Sequence, residues 1–259
     1  MKRSKSIELF LAAGLAATLT ACGGDTPTTE DPVTEEAPTV EETAEPTGSS
    51  EGGEGGEGGE GGEGGEGGDT SYNDTFEDKI SGQELVSALQ SGGHVIFFRH
   101  AQTEKDYADQ VNADVNDCST QRTLSEAGWQ DAEMIGSAFE ELSIPVGQVY
   151  SSEYCRAWQT ADIAFDRYEK VAGLNFAPAE EYTDEQMEQM KAGIMPLLTE
   201  VPESGTNTVI VGHDDVFDSA TGIYPEPQGV AYVLKPSSQG DFEILANVLP
   251  DEWAQLAQQ

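Results

Sequence analysis

The stretch His94-Val95-Ile96-Phe97-Phe98-Arg99-His100-Ala101 decides the fold. Its apolar run, Val95 to Phe98, has no polar residue at helical spacing, which is typical of a buried strand. A buried parallel strand brings the residues that follow it to the carboxyl edge of the sheet, where open α/β sheets place their sites. Arg99 and His100 are therefore candidates for attack on a phosphoryl group, with a neutral imidazole as nucleophile and a guanidinium matching phosphate oxygens. The alternative is a solvated Arg-His loop.

Strands alternate with amphipathic helices in the rest of the folded sequence, which predicts an α/β fold. We expect a three-layer α/β/α sandwich with a mainly parallel central sheet. Four aromatic residues lie at helical spacing and are predicted to be core: Trp129, Phe139, Phe165 and Tyr168. His94 begins the first strand, at the end away from the predicted site, and is interpreted as structural.

Basic residues recur where the predicted strands end. Arg99 and His100 end the first strand, Arg156 follows the second, and His213 ends the strand predicted over 208–211. The chain has only three histidines, and two of them occupy these positions. Two imidazoles and two guanidiniums at one sheet edge would form a compact anion pocket.

Four motifs give a family resemblance. The sequence resembles the histidine phosphatase superfamily, on its phosphoglycerate mutase-like branch, over nearly all of residues 90–250. The motifs are FRHAQT at 98–103, RTLSEAG at 122–128, VYSSEYCRAWQTA at 149–161 and VIVGH at 209–213. Each motif is weak alone, but their order and spacing together favour the resemblance. It implies the phosphoglycerate mutase-like fold described above.

The resemblance also implies a mechanism. His100 would attack phosphorus and become phosphohistidine, which water then hydrolyses. Arg99 and Arg156 would hold the phosphoryl oxygens, His213 would donate to the same group, and Thr103 matches a phosphate-contacting hydroxyl. The implied activity is that of a metal-independent phosphomonoester hydrolase, with no metal and no cofactor, because the Arg and His side chains supply the positive charge.

The acid that protonates the leaving group is less evident. Asp214 follows His213, and the acid-phosphatase branch of the superfamily uses an Asp at that place. Glu153 and Glu181 are rivals, and a solvated loop carboxylate is the alternative for Asp214. Asp106 stands where the family often has Asn, and a carboxylate there would repel a phosphate unless it were turned away or protonated.

The first 22 residues are predicted to be a lipoprotein signal peptide. A basic start precedes an apolar run over 7–21, which is shorter than the ~20 residues that span a bilayer. The sequence LTAC at 19–22 resembles a bacterial lipobox, in which Cys22 is lipidated. The alternatives are an ordinary signal peptide cut near Ala21 and an uncleaved anchor. We expect an extracytoplasmic protein, lipid-anchored to the bacterial cell membrane or outer membrane and touching the membrane through this lipid only.

Residues 23–71 are predicted to be a disordered linker before a phosphatase domain over 72–259. Between positions 23 and 69 there are 15 acidic residues and no Lys or Arg, and 51–68 are six Glu-Gly-Gly triplets. Such a composition buries too little apolar surface to offset its ordering entropy. We interpret the linker as an acidic spacer, with weak calcium binding by the repeat as the alternative.

Outside the cytoplasm, two remaining thiols are more often paired than free. Cys118 and Cys155 are therefore predicted to form a disulfide that braces Arg156, with two buried thiols as the alternative.

The formal net charge of −37 argues against nucleic acid as a partner, since few cations are available to neutralise phosphates. The expected substrate is a small phosphomonoester or a phosphorylated protein or sugar. A binding module of the same fold with weak catalysis is the main alternative. A mutase is a weaker one, since its phosphorylated metabolite would be cytoplasmic.

Overall fold

The computed structural model describes residues 76–105, 108–179 and 181–258. The predicted signal peptide with Cys22, the predicted linker and Asp106 lie outside these residues. The described helices are α1 (Gly82–Ser91), α2 (Glu126–Glu141), α3 (Cys155–Phe165), α4 (Asp184–Thr199), α5 (Asp214–Thr221) and α6 (Glu252–Leu256). The described strands are β1 (Val95–Arg99), β2 (Val146–Ser151), β3 (Glu169–Lys170), β4 (Asn207–Gly212), β5 (Ala231–Pro236) and β6 (Phe242–Val248). None of these helices is long and apolar enough to cross a membrane.

The strands form one mixed sheet in the order β3-β2-β4-β1-β5-β6. The β1–β4, β2–β4 and β2–β3 pairs are parallel, and only β5 and β6 run antiparallel to their neighbours. The predicted α/β class with a mainly parallel sheet is therefore confirmed. Since β1, β2 and β4 are mutually parallel, the residues that follow them meet at one edge of the sheet.

Helices cover both faces of the sheet, and β1 shows how the sequence divides between them. Ile96 and Phe98 pack into the cluster formed with α1, α2, α3 and α6. Val95 and Phe97 point the other way, into the cluster formed with α4 and α5. This alternation is the period-two geometry of a strand buried on both faces, and it produces the three-layer arrangement.

Helix α2 begins at an N-cap and presents a different face from the one that the aromatic spacing predicts. The Ser125 hydroxyl accepts the backbone N–H of Gly128, which is an N-cap bond. Trp129, predicted to be core, is 45% exposed, whereas Phe139 is buried as predicted. Gly128 and Ala132 lie on the buried face of α2. Trp129 follows Gly128 and is rotated about 100° round the helix from it, away from that face. Strand β3 and helix α5 were not predicted from the sequence.

Candidate active site

The carboxyl edge of the sheet brings the predicted site residues together. Strand β1 ends in Arg99 and leads to His100, β4 leads to His213, and the turn after β2 leads to Arg156 at the start of α3. All four residues are at most 7% exposed. The imidazole ring centres of His100 and His213 are 5.5 Å apart. The edge therefore holds two imidazoles and two guanidiniums in one buried cluster.

The hydrogen bonds of His100 fix its tautomer. Its Nδ1 lies 2.9 Å from the carbonyl oxygen of Ala101. Because a carbonyl can only accept, Nδ1 carries the proton and donates it. The other ring nitrogen, Nε2, accepts a 3.2 Å hydrogen bond from Nε of Arg156. The unprotonated Nε2, with its lone pair, is thus the nitrogen that faces the cluster.

Arg156 has partners on several sides. Its Nη1 donates to both carboxylate oxygens of Asp109, each at 3.0 Å, while its Nε donates to His100. The aromatic rings of Tyr154 and Phe176 each lie 5.2 Å from the guanidinium carbon. Cation–π contacts of this kind hold a buried guanidinium in one orientation.

Arg99 is held by a carbonyl and by a carboxylate. Its Nη1 donates to the carbonyl oxygen of Pro225 at 3.0 Å, and its Nη2 pairs with Oδ2 of Asp214 at 2.5 Å. The same Asp214 oxygen accepts the hydroxyl of Tyr224 at 2.8 Å. The Nε–H of Arg99 is buried and has no acceptor among the described residues. A bound oxyanion would supply one.

A hydrogen-bond chain fixes the tautomer of His213. Oδ1 of Asn175 accepts the backbone N–H of Glu153 at 3.0 Å and lies 2.8 Å from the Ser152 hydroxyl. Ser152 must therefore donate its proton to Asn175, and it accepts from Nε2 of His213 at 2.8 Å. Nδ2 of Asn175 donates to the Glu153 carboxylate at 2.7 Å. Neutral His213 thus carries its proton on Nε2 and leaves Nδ1 as an acceptor.

Electrostatics keep both imidazoles neutral. The pKa of His100 lies well below its usual 6.5, first because the ring is buried and then because the charge of Arg156 and the neighbouring His213 ring disfavour a further positive charge. The pKa of His213 is also well below 6.5, for the same two reasons of burial and the charge of Arg156. Arg122 contributes to the lowering in both rings. A neutral His100 is the form that can act as a nucleophile.

The other predicted residues occupy several environments. The Thr103 hydroxyl donates to Oε1 of Gln228 at 3.3 Å, and its role as a phosphate contact stays a prediction. Asp214 adjoins the cluster through Arg99, whereas Glu181 is exposed. No group of three or more His, Cys, Asp or Glu side chains is arranged to hold a metal ion in the part of the chain that the structure describes.

A disulfide joins Cys118 to Cys155, the pair named from the sequence, with their Cα atoms 5.7 Å apart. Cys155 directly precedes Arg156, so the bridge ties the long loop after β1 to the start of α3. The fully buried Gln121 adds a second tie, because its Oε1 accepts the backbone N–H of Cys155 at 2.8 Å. The same amide donates to the backbone carbonyl of Asp114 at 2.7 Å.

Sequence reasoning missed several residues of the site. Asp109, Ser152 and Asn175 hold Arg156 and His213, and no motif marked them individually. Asp215 was missed as well, although it lies one position after the predicted acid. Burial first, and then the adjacent carboxylate of Asp214, raises the pKa of Asp215 to about 6. The hydroxyl of Tyr182 donates to it at 2.8 Å. The sequence signal that could have identified Asp215 is the pair of acidic residues, Asp214 and Asp215, directly after His213.

One family model matches part of this chain. The model of the histidine phosphatase superfamily (branch 1) matches residues 95–175. This segment begins at β1 and contains Arg99, His100 and Arg156. Over these residues the chain is therefore similar to the superfamily that the sequence motifs resemble.

Solved structures with similar folds include several phosphatases. The protein histidine phosphatase SixA complexed with tungstate is 14% identical, with a TM-score of 0.46, and the match covers 61% of this chain and 98% of that one. A mutant phosphoserine phosphatase from Entamoeba histolytica in complex with phosphoserine is also 14% identical, with a TM-score of 0.40 and coverage of 61% and 97%. A search of curated proteins found none that matches.

Proposed function

We propose that this chain is a metal-independent phosphomonoester hydrolase that works through a phosphohistidine on His100. The observation that carries the proposal is the orientation of that ring. Nδ1 donates to the carbonyl of Ala101, so the lone pair of Nε2 faces the buried guanidinium of Arg156. The superfamily match over 95–175 supports the same chemistry.

In the first step, Nε2 of His100 attacks phosphorus, an N–P bond forms, and the P–O bond to the leaving group breaks. The leaving oxygen takes the bonding electrons and needs a proton. Arg99 and Arg156 turn their N–H groups to the phosphoryl oxygens, and the unpaired Nε–H of Arg99 is available for one of them. Positioning and charge stabilisation are the main contributions that a protein makes to phosphoryl transfer.

In the second step, the oxygen of a water molecule attacks phosphorus and the N–P bond breaks. The electron pair returns to Nε2, and inorganic phosphate leaves with the water's oxygen. Neutral His213 has no N–H to offer a phosphoryl oxygen, because its one N–H, on Nε2, already donates to Ser152. It can donate to that oxygen only after Nδ1 has taken up a proton. A phosphate monoester that binds as its monoanion brings that proton, after which Nδ1–H donates to a phosphoryl oxygen.

Asp214 remains our candidate for the acid. Its ion pair with Arg99 places it next to the phosphoryl site, and its carboxylate accepts from three donors in the free protein. To act as the acid, Asp214 takes up a proton from solvent when Arg99 turns to the phosphoryl oxygens, and it then passes that proton to the leaving oxygen. We expect Asp214→Asn to slow hydrolysis of alkyl phosphates far more than that of p-nitrophenyl phosphate, whose leaving group needs little protonation. Equal slowing of both would remove Asp214 from this role.

We further propose that the domain acts outside the cytoplasm on a small phosphomonoester or a phosphorylated protein or sugar. The lipobox-like LTAC at 19–22, with Cys22 as the lipidated residue, supports the anchor. The acidic stretch at 23–71 supports a spacer between membrane and domain. Globomycin, which blocks lipoprotein signal cleavage, should make the unprocessed chain accumulate, and unchanged processing would contradict the anchor.

The activity is tested with the purified full-length chain, p-nitrophenyl phosphate and a chelator. We expect vanadate-sensitive turnover that His100→Ala abolishes. His94→Ala is the matched control, since His94 lies at the opposite end of β1 and its backbone N–H bonds Asn207. Turnover that survives in His100→Ala, or that vanishes equally in both variants, would contradict the assignment.

A second candidate function is a phosphate-ester or phosphoprotein binding module with weak catalysis. The observation that favours it is the pairing of both guanidiniums with carboxylates, Arg99 with Asp214 and Arg156 with Asp109. Binding of inorganic phosphate in titration calorimetry, together with no turnover over a wide pH range, would favour this function over hydrolysis.

A further inference from the structure

The carboxylate of Asp109 pairs with the guanidinium of Arg156 in the free protein. Both of its oxygens lie 3.0 Å from Nη1 of Arg156, and its side chain is only 22% exposed. The backbone N–H of Arg122 donates to the same carboxylate at 2.6 Å. Charge-assisted bonds to arginine are the interactions that a phosphate group makes with such a site. Asp109 therefore already binds the guanidinium as an anion.

A phosphoryl group on His100 must use the same guanidinium. Arg156 donates from Nε to Nε2 of His100 at 3.2 Å and from Nη1 to Asp109. For in-line attack, phosphorus has to lie against Nε2 of His100, so the Nε–H of Arg156 must leave this lone pair and turn to a phosphoryl oxygen. A phosphoryl group and the Asp109 carboxylate would then be two anions bound to the same guanidinium, and their negative charges would repel each other.

We propose that Asp109 is an intramolecular competitor for the substrate's phosphoryl group. It neutralises Arg156 in the free protein, and an incoming phosphate monoester replaces it, so Asp109 sets the affinity of the site for anions. This inference rests on the proposed phosphate-binding function of the same site. It identifies a specificity-determining residue: a weakly bound or singly charged anion is excluded, and a group that binds both guanidiniums displaces the carboxylate.

The loop that carries Asp109 is held in place by contacts that do not depend on the Asp109 carboxylate. The backbone N–H of Gln110 donates to the carbonyl of Thr120 at 2.9 Å, which closes the loop on itself. The disulfide between Cys118 and Cys155 and the Gln121 amide anchor its far end beside Arg156. These ties do not involve the carboxylate of Asp109. Displacing that carboxylate therefore breaks the contacts to Arg156 and Arg122 and leaves the anchors in place.

The competitor account and a simple positioning account predict opposite results for Asp109→Asn. If Asp109 competes, neutralising it should tighten the binding of inorganic phosphate by about tenfold, because the guanidinium is free in a larger fraction of molecules. The KM for p-nitrophenyl phosphate should fall by a similar factor, with kcat not reduced. If Asp109 only holds Arg156 in position, the Asn variant should bind phosphate more weakly and kcat should fall.

The experiment is titration calorimetry of the full-length chain with inorganic phosphate, for the wild type, Asp109→Asn and Asp114→Asn. The last variant is the matched control, because it removes the same charge from the same loop. Asp114 is exposed, and among the described residues its side chain accepts only from Asn116. Tighter binding in Asp109→Asn alone supports the proposal. Unchanged or weaker binding there, or equal tightening in the control, overturns it. No binding of phosphate by any of the three proteins would instead mean that the proposed function itself has failed.

A measurement on the wild type covers the case in which Asp109→Asn does not fold. Hydrogen exchange of the backbone over 108–122 is compared with and without saturating phosphate. Release of Asp109 should speed exchange near residues 109 and 122, since the backbone N–H of Arg122 loses its acceptor. Slower or unchanged exchange at Arg122 would overturn the proposal.

Discussion

Removing the disulfide should destabilise the domain by an amount that follows from its position in the chain. Cys118 and Cys155 are 37 residues apart, and the chain-entropy model gives about 4 kcal/mol for a closed loop of that size. For a domain of this length, that corresponds to a fall in the melting temperature of about 8–16 °C. The variant is Cys118→Ser/Cys155→Ser, and the assay is urea unfolding of the purified chain followed by circular dichroism.

The reduced wild type is the control for this double variant. It loses the bridge but keeps both sulfur atoms, so it separates the effect of the bridge from that of placing a Ser hydroxyl at the buried Cys155. We expect both proteins to unfold at lower urea than the oxidised wild type, and the two to agree within about 1 kcal/mol. Unfolding midpoints that do not change on reduction would refute the reasoning.

Two further predictions concern pH and packing. Burial and nearby cations lower the pKa of His100 and His213 below 6.5, so the unfolded chain binds more protons than the folded one as the pH falls below that value. The free energy of unfolding should therefore decrease on acidification from about pH 7 to about pH 5. The raised pKa of Asp215 opposes only part of this decrease. Urea titrations that show no decrease over this pH range would contradict the prediction. Gly128→Ala should destabilise the domain by about 1–3 kcal/mol, since a Cβ there would lie 2.0 Å from the carbonyl oxygen of Gln102, and an unchanged melting temperature would count against this contact.

The site residues that could be predicted from the sequence are those that directly follow a buried strand. Val95 to Phe98 had to be a buried strand, so Arg99 and His100 had to lie at its carboxyl end. Two more strands of the same kind placed Arg156 and His213 at that edge. In each case a local pattern determined the position, and the parallel sheet then brought the strand ends together.

The residues that were missed act across long sequence separations. Asp109 meets Arg156 from 47 positions away, and Asn175 meets Ser152 from 23 positions away. Their hydrogen bonds depend on how loops fold back over the sheet edge, which no periodicity encodes. The prediction for Trp129 was wrong for a different reason. Helical spacing predicts that a helix has an apolar face, but here small residues such as Gly128 form the face of α2 that packs closely against the rest of the domain.

The most direct test of the central claim is to trap the covalent intermediate. The purified chain is mixed with p-nitrophenyl phosphate, quenched in alkali within milliseconds, digested and analysed by mass spectrometry. We predict one added phosphoryl group on His100, stable in alkali and lost in acid, as expected for an N–P bond, and a burst of nitrophenol that matches its amount. A protein that turns over substrate without labelling His100, or that carries the label elsewhere, would contradict the account.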